Sequence, residues 1–251
     1  MNNGFILETD GLSKQFHGFH AVRDVSLRVR RHAVHALIGP NGAGKTTCFN
    51  LLTTFLRPTA GSIRFNGVEI SHSDPATVAL MGLVRSFQIS AVFARMSVLE
   101  NVRIALQRKA GTIYTFWRPD RSLKILDGRA LDLIEMFGLS RYVDTPAGAL
   151  SYGRKRLLEL ATTIAVDPEM ILLDEPIAGL GHEDIEPVIE IIRHVSKDRT
   201  ILMVEHNMKV IAELCDQVTV LQAGQVLADG SYDEVSRNPA VIEAYVGAED
   251  E

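Results

Sequence analysis

Residues 39 to 47 read Gly-Pro-Asn-Gly-Ala-Gly-Lys-Thr-Thr, and no other stretch of the chain restricts its fold so strongly. The spacing fits G-x-x-x-x-G-K-[ST], with Gly39, Gly44, Lys45 and Thr46 at the fixed positions. Such a loop has to lie between a strand and a helix. The apolar run Val34 to Ile38, interrupted only by His35, stands before it, and Cys48-Phe49-Asn50-Leu51-Leu52 follows. Gly39, Gly42 and Gly44 let the loop, with Asn41, Ala43 and Thr47, turn its N–H groups inward. There those groups and the positive end of the helix can hold a polyphosphate. Lys45 then reaches the outer phosphates, and the Thr46 hydroxyl is placed to ligate Mg²⁺.

Composition frames this reading without deciding it. A chain of 251 residues, 46% hydrophobic and 23% charged, buries a full core and lies near the upper size of one domain. A net charge of −5 argues against a dominant nucleic-acid surface, so no nucleic-acid partner is expected. Cys48 and Cys215 stand far apart without metal-ligand spacing and fit a reducing cytosol. The N-terminus, Met1-Asn2-Asn3-Gly4, has no basic segment leading into an apolar region, and no stretch reaches the roughly 18 apolar residues of a membrane span. If the protein works at a membrane, a partner must supply the spanning helices.

Periodicity divides the chain in two. Strands are expected at Phe5 to Thr9, Val25 to Val29, Val34 to Ile38 and Ile63 to Phe65, with Asn66-Gly67 as a turn after the last. From Val98 to Leu139 the pattern is helical, with Val98, Val102, Ala105 and Leu106 on one face and Leu131, Ile134 and Phe137 on another. A loop is expected over Gly111 to Asp120. From Ser151 helices and strands alternate: helix Arg154 to Val166, strand Met170 to Leu173, helix Ile185 to Ser196, strand Thr200 to Val204, helix Met208 to Cys215, strand Val218 to Leu221. That order implies a mostly parallel sheet covered on both faces, interrupted by a helical lobe.

The strand Met170-Ile171-Leu172-Leu173 delivers Asp174 and Glu175 at its carboxyl end. Successive strand side chains point opposite ways, so the two carboxylates can do different work. Asp174 would hold Mg²⁺ through water, and Glu175 would orient or deprotonate a water that attacks the terminal phosphate. Alone, the segment could equally be a buried strand ending in a charged turn. Between the two motifs lies Leu150-Ser151-Tyr152-Gly153-Arg154-Lys155-Arg156 at the start of a helix. By itself it reads as a Ser N-cap with a basic first turn.

Taken together these segments resemble the ATP-binding subunit of ABC transporters, because the heptapeptide is similar to that family's LSGGQ signature. The resemblance implies an α/β ABC ATPase fold of the P-loop NTPase kind: a RecA-like parallel-sheet core, an antiparallel β subdomain and an inserted α-helical subdomain. It implies a single ATPase domain over 5–248, with core lobe 5–88 and 160–248, helical subdomain about 89–159, and a tail at 249–251. It implies ATP and Mg²⁺, with Gln88 matching the glutamine that contacts metal and water, His206 the switch histidine at the γ-phosphate, and Phe16 the aromatic that stacks on adenine. Ser151 and Gly153 would receive the γ-phosphate of ATP bound to a second cassette, so hydrolysis requires a head-to-tail homo- or heterodimer.

Two departures stand out. Tyr152 and Arg154 replace Gly and Gln of the common signature, and Gly181, in Ile177-Ala178-Gly179-Leu180-Gly181, occupies a position usually held by aspartate. The stretch Leu83-Val84-Arg85-Ser86-Phe87-Gln88, Met96-Ser97-Val98-Leu99-Glu100-Asn101, Trp117-Arg118-Pro119 and the ending Asn238-Pro239 to Tyr245 are similar to the LivG-type ATPases of branched-chain amino acid importers. That class implies a peripheral protein at the cytoplasmic face of the inner membrane. Its partners would be permease subunits docking on Ile89 to Leu150, a second cassette and, indirectly, an extracytoplasmic solute-binding protein. The alternative is the ATPase of an exporter or a lipopolysaccharide-transport system, whose cassettes share these motifs.

Overall fold

The computed structural model describes residues 4–86, 92–107 and 126–246. The expectations for Gln88, for the loop Gly111 to Asp120 and for the tail 249–251 therefore lie outside the described residues.

The chain opens with β1 (Phe5–Phe16), β2 (Phe19–Val25), β3 (Arg28–Arg30), β4 (Val34–Ile38), α1 (Lys45–Leu52), β5 (Ala60–Phe65), β6 (Val68–Glu69), α2 (Pro75–Leu80) and β7 (Leu83–Ser86). An antiparallel sheet runs β2-β1-β5-β6, with β3 also paired to β1. Asn66 and Gly67 both take left-handed backbone (φ 53 and 78), the conformation a two-residue hairpin needs to match strand twist, so the anticipated turn joins β5 to β6. The single strand expected over Val25 to Val29 is instead split between β2 and β3. Thr9 accounts for the break: its hydroxyl donates to the Val25 carbonyl at 2.9 Å and accepts from the Leu27 amide at 2.8 Å, diverting the backbone from one continuous ladder.

Later come α3 (Val98–Gln107), α4 (Asp127–Met136), α5 (Tyr152–Ala165), β8 (Met170–Asp174), α6 (His182–Ser196), β9 (Thr200–Val204), α7 (Met208–Leu214), β10 (Gln217–Gln222), β11 (Gln225–Gly230), α8 (Tyr232–Ser236) and α9 (Pro239–Val246). Among the described residues the second sheet has the order β11-β10-β4-β9-β8-β7. Its pairs β10–β4, β4–β9 and β9–β8 are parallel, and β11 returns antiparallel along β10. All residues of β4, β8 and β9 are buried, as in strands covered on both faces. This is the α/β class anticipated. Residues of both sheets and α1 share one core, in which Leu7, Phe49, Leu51, Leu52, Ile63 and Phe65 are fully buried. Cys48 lies in it too, and burial pushes its thiol up to about 12. Cys215, less deeply placed, is also raised to about 12 by burial.

Contacts divide the chain into two compact units. One comprises Met1–Arg85, Glu169–Glu175 and Arg193–Glu251, and the other Ser86–Pro168 and Pro176–Ile192. The second unit is built on α3, α4 and α5. Val98, Val102 and Leu106 of α3 are buried, as their spacing anticipates, while Ala105 of the same expected face is only half-buried. In α4 Ile134 and the following Phe137 are buried as expected, but Leu131 is exposed and the face is completed instead by Ala130 and Leu133. Ala130 starts a full i, i+3, i+4, i+7 stripe that a reading weighted toward large side chains passes over. Among the described residues no helix is long and apolar enough to cross a membrane.

Candidate nucleotide site

β4 runs straight into the Gly39 to Thr47 loop, and α1 starts at Lys45 with Gly44 as its N-cap in left-handed backbone (φ 99). No side chain caps this terminus, so the helix end presents backbone N–H groups and its positive dipole to a ligand. Two glycines are required by contact. A Cβ on Gly39 (φ 148) would stand 2.1 Å from the Leu221 carbonyl oxygen, and one on Gly44 would stand 2.4 Å from that of Ala21. The loop is thus clamped between β2 and the β10–β11 turn, where the Gly224 amide also donates to the Ala43 carbonyl at 3.0 Å. Lys45 folds back, its Nζ donating to the carbonyls of Gly39 (2.7 Å) and Pro40 (2.9 Å). Burial lowers its pKa, and the charges of Glu175 and Asp174 oppose the shift.

A cavity of about 270 Å³ opens on this loop, lined by Phe19, Ala21, Asn41, Gly42, Ala43, Gly44, Lys45, Thr46, Thr47, Glu175 and Val204. Glu175 follows β8 in left-handed backbone (φ 47), unusual for a residue with a Cβ, and its amide donates to the Val204 carbonyl at 2.9 Å. His206 follows β9, its Nδ1 3.8 Å from Glu175 Oε1. Buried Glu205 fixes that corner by accepting the amides of His206 (2.9 Å) and Asn207 (3.1 Å). Asp174 is buried at the end of β8, and Arg85 Nη2 donates to its Oδ2 at 2.5 Å.

In the helical unit Ser151 caps α5, its hydroxyl accepting from the Arg154 amide. Gly153 is buried, and a Cβ there would lie 2.2 Å from Asp184 Oδ2, so any larger residue would have to turn that carboxylate aside. Both departures from the common signature have partners here. Tyr152 donates its hydroxyl to the Ala178 carbonyl at 3.4 Å and packs on Gly179, while the Arg154 guanidinium lies 4.4 Å from the Tyr142 ring centroid.

The structure brings Asn41, Gly42, Ala43, Gly44, Lys45, Thr46, Thr47 and Glu175 around one cavity, joins Gly39 to it through Lys45, and sets Asp174 and His206 beside Glu175 in sequence or space. Ser151 and Gly153 fall in the other unit. Phe16 is not among the residues lining the cavity; its cross-strand partner Phe19 is, exposed by 68%, while Lys14 Nζ stands 5.1 Å from the Phe16 ring. Register irregularities on both sides of Lys14 disturb the simple alternation along β1. Sequence reasoning also gave no role to Arg85, and none to Tyr245, half-buried with a hydrogen bond to the Gly39 backbone. Nothing in the spacing of either residue signals those contacts.

The profile described as "ABC transporter" matches residues 22–178, and one described as "Branched-chain amino acid ATP-binding cassette transporter" matches residues 225–251. The chain belongs to the ABC transporter family, as an ATP-binding cassette. Within that family it is 38% identical to the high-affinity branched-chain amino acid transport ATP-binding protein BraF of Pseudomonas aeruginosa, over 96% of this chain and 98% of the relative. It is 36% identical, with the same coverage, to the corresponding LivG of Escherichia coli (strain K12). Among solved structures, the ADP conformation of MJ1267, an ATP-binding cassette of an ABC transporter, superimposes with a TM-score of 0.84 at 31% identity, covering 97% of this chain and 99% of that one.

Proposed function

We propose that this chain is the ATP-hydrolysing subunit of an ABC importer for branched-chain amino acids or related small solutes. The observation that carries the reading is the uncapped phosphate loop facing Glu175 across one cavity, in a chain whose C-terminal segment matches the branched-chain class. ATP binds as substrate, its phosphates on the loop amides of residues 41–47 and on Lys45, which turns from the Gly39 and Pro40 carbonyls to the outer phosphates. Phe16 and Phe19, paired across the β1–β2 hairpin, are the aromatics available to the adenine face.

Glu175 takes a proton from water as the water oxygen bonds to the γ-phosphorus. The bond to the β,γ-bridging oxygen breaks, and ADP and phosphate form. His206 donates to a γ-phosphate oxygen, and Lys45 and the loop amides meet the developing charge. Thr46 and Asp174 fit Mg²⁺: both offer hard oxygen donors, and no cluster of three or more His, Cys, Asp or Glu among the described residues could hold a metal alone. A cation that takes most of its ligands from water and phosphate suits that donor set, and when bound it neutralises phosphate charge. Gln88, outside the described residues, is the further ligand that family resemblance supplies.

Ser151 and Gly153 complete the site of a second cassette, identical or related, so the working unit is a dimer docked on two permease subunits at the cytoplasmic face of the membrane. A solute-binding protein delivers the cargo. Residues 5–248 act as one ATPase domain whose helical subdomain, about 89–159, meets the permease. Glu175→Gln tests the central assignment: it is expected to cut phosphate release at least about 100-fold while an ATP-bound dimer accumulates in size-exclusion runs. Undiminished release would remove Glu175 from the reaction.

A further inference from the structure

Asp174 does not stand alone at the end of β8. The Arg85 guanidinium reaches it from β7, with Nη2 donating to Asp174 Oδ2 and Nη1 to Asn50 Oδ1, each at 2.5 Å. The two charged side chains are 11% and 4% exposed, and the guanidinium carbon lies 5.7 Å from the Phe49 ring centroid. Arg85 Nε is buried without a hydrogen-bond partner. The fork is therefore aimed at Asp174 and Asn50 at the cost of one of its own donors, since a planar guanidinium set by two acceptors cannot turn to satisfy the third.

Asn50 sits on α1, the helix that also carries Lys45 and Thr46. One rigid fork thus ties the carboxylate on β8 to the helix that carries the Thr46 hydroxyl. A lone carboxylate would swing about its terminal torsion. With one oxygen held by the guanidinium, its plane is fixed in a single orientation. The neutralised pair also pulls less on a dication, which suits an interaction through a water molecule better than direct ligation.

We infer that Arg85, braced by Asn50, is a positioning residue of the divalent-cation site, fixing the Asp174 carboxylate relative to Thr46. The inference rests on the reading of the cavity as a Mg²⁺–ATP site. Partners that orient a metal-binding group from behind, when removed, typically cost about 10- to 100-fold in metal affinity.

The test is binding of a ribose-labelled fluorescent ATP to the purified chain, titrated with Mg²⁺. Arg85→Gln is expected to raise the Mg²⁺ concentration for half-maximal enhancement by at least about 10-fold and to leave affinity in EDTA unchanged. Arg85→Lys, which keeps the charge but not the fork, should recover part of the loss, and Asn50→Ala should shift the same midpoint by a smaller factor. A folded Arg85→Gln protein with the wild-type Mg²⁺ midpoint overturns the inference, as does an equal loss of affinity with and without Mg²⁺. If Arg85→Gln does not fold, an unshifted midpoint in Asn50→Ala overturns it instead. A wild-type chain whose nucleotide binding ignores Mg²⁺ overturns the site reading itself; a responsive wild type beside equally responsive variants overturns the role of Arg85 alone.

Discussion

Glu175 carries an identity and a conformation that pull against each other. Its backbone is left-handed, a region that costs a residue with a Cβ about 1 kcal/mol and that glycine occupies freely. Comparing Glu175→Gly with Glu175→Ala isolates that cost, since both variants lack the carboxylate. The Gly protein should be the more stable by about 1 kcal/mol, reversing the usual order of the two residues. Chemical denaturation of the pair decides the matter, and an Ala variant equal to or more stable than Gly would show the position to be unstrained. At this scale Lys45, Asp174 and Glu175 were legible because each motif is contiguous in the chain and its chemistry is set by neighbours in sequence. Phe19 and Arg85 were not. Phe19 owes its place at the cavity to the path of the β1–β2 hairpin, and Arg85 meets Asp174 only when β7 and β8 are folded into one sheet.

Among the elements, β4 combines a structural and a chemical role. It delivers the phosphate loop, yet buries His35 completely. His35 Nε2 lies 2.7 Å from Thr219 Oγ1, whose hydroxyl donates to Asp229 Oδ1, while His35 Nδ1 is buried without a partner. That chain assigns the ring proton to Nε2 of a neutral imidazole. Burial pushes its pKa down to about 4, with Asp229 opposing and Arg30 reinforcing the shift. Between pH 6.5 and 4 the unfolded chain binds a proton there and the folded chain does not, so stability is full above that window and falls as pH drops through it. At pH 4.5 the expected loss from this residue is about 2 kcal/mol. Urea midpoints at pH 7.5 and 4.5 should separate more for the wild type than for His35→Leu; equal separations would count against the assignment. The strand itself was plain in the sequence as an apolar run. β11 was not, because Gln225–Gly230 is an edge strand of mixed exposure whose pairing with β10 follows from the turn at Ala223 and Gly224, both left-handed.

At the scale of the whole molecule, the division into two units separates the phosphate loop, Asp174 and Glu175 from Ser151 and Gly153. If Ser151 and Gly153 complete a site on another cassette, ATPase activity of the isolated chain should be weak and rise more than linearly with protein concentration. Specific activity that stays constant down to monomeric dilution would contradict this. A Ser151→Ala chain mixed with a Glu175→Gln chain should recover part of the turnover, since one of the two composite sites then keeps both residues. The alternation of strands and helices made the parallel sheet legible in outline. The precise face of α4 was not, because its stripe begins at an alanine, whose contribution to packing depends on the helices around it.

Cys48 turns the packing beneath the phosphate loop into a clock. Its sulfur is fully buried on α1 and its thiol is held up at about 12, so a thiol reagent can reach it only in moments when that helix leaves the core. With reagent in enough excess to outpace reclosing, the rate of modification gives the interval between such moments at a cysteine the chain already carries. A ligand held on the amino end of α1 should lengthen that interval at Cys48 and leave Cys215 nearly unaffected, reporting occupancy of the loop from its inner side.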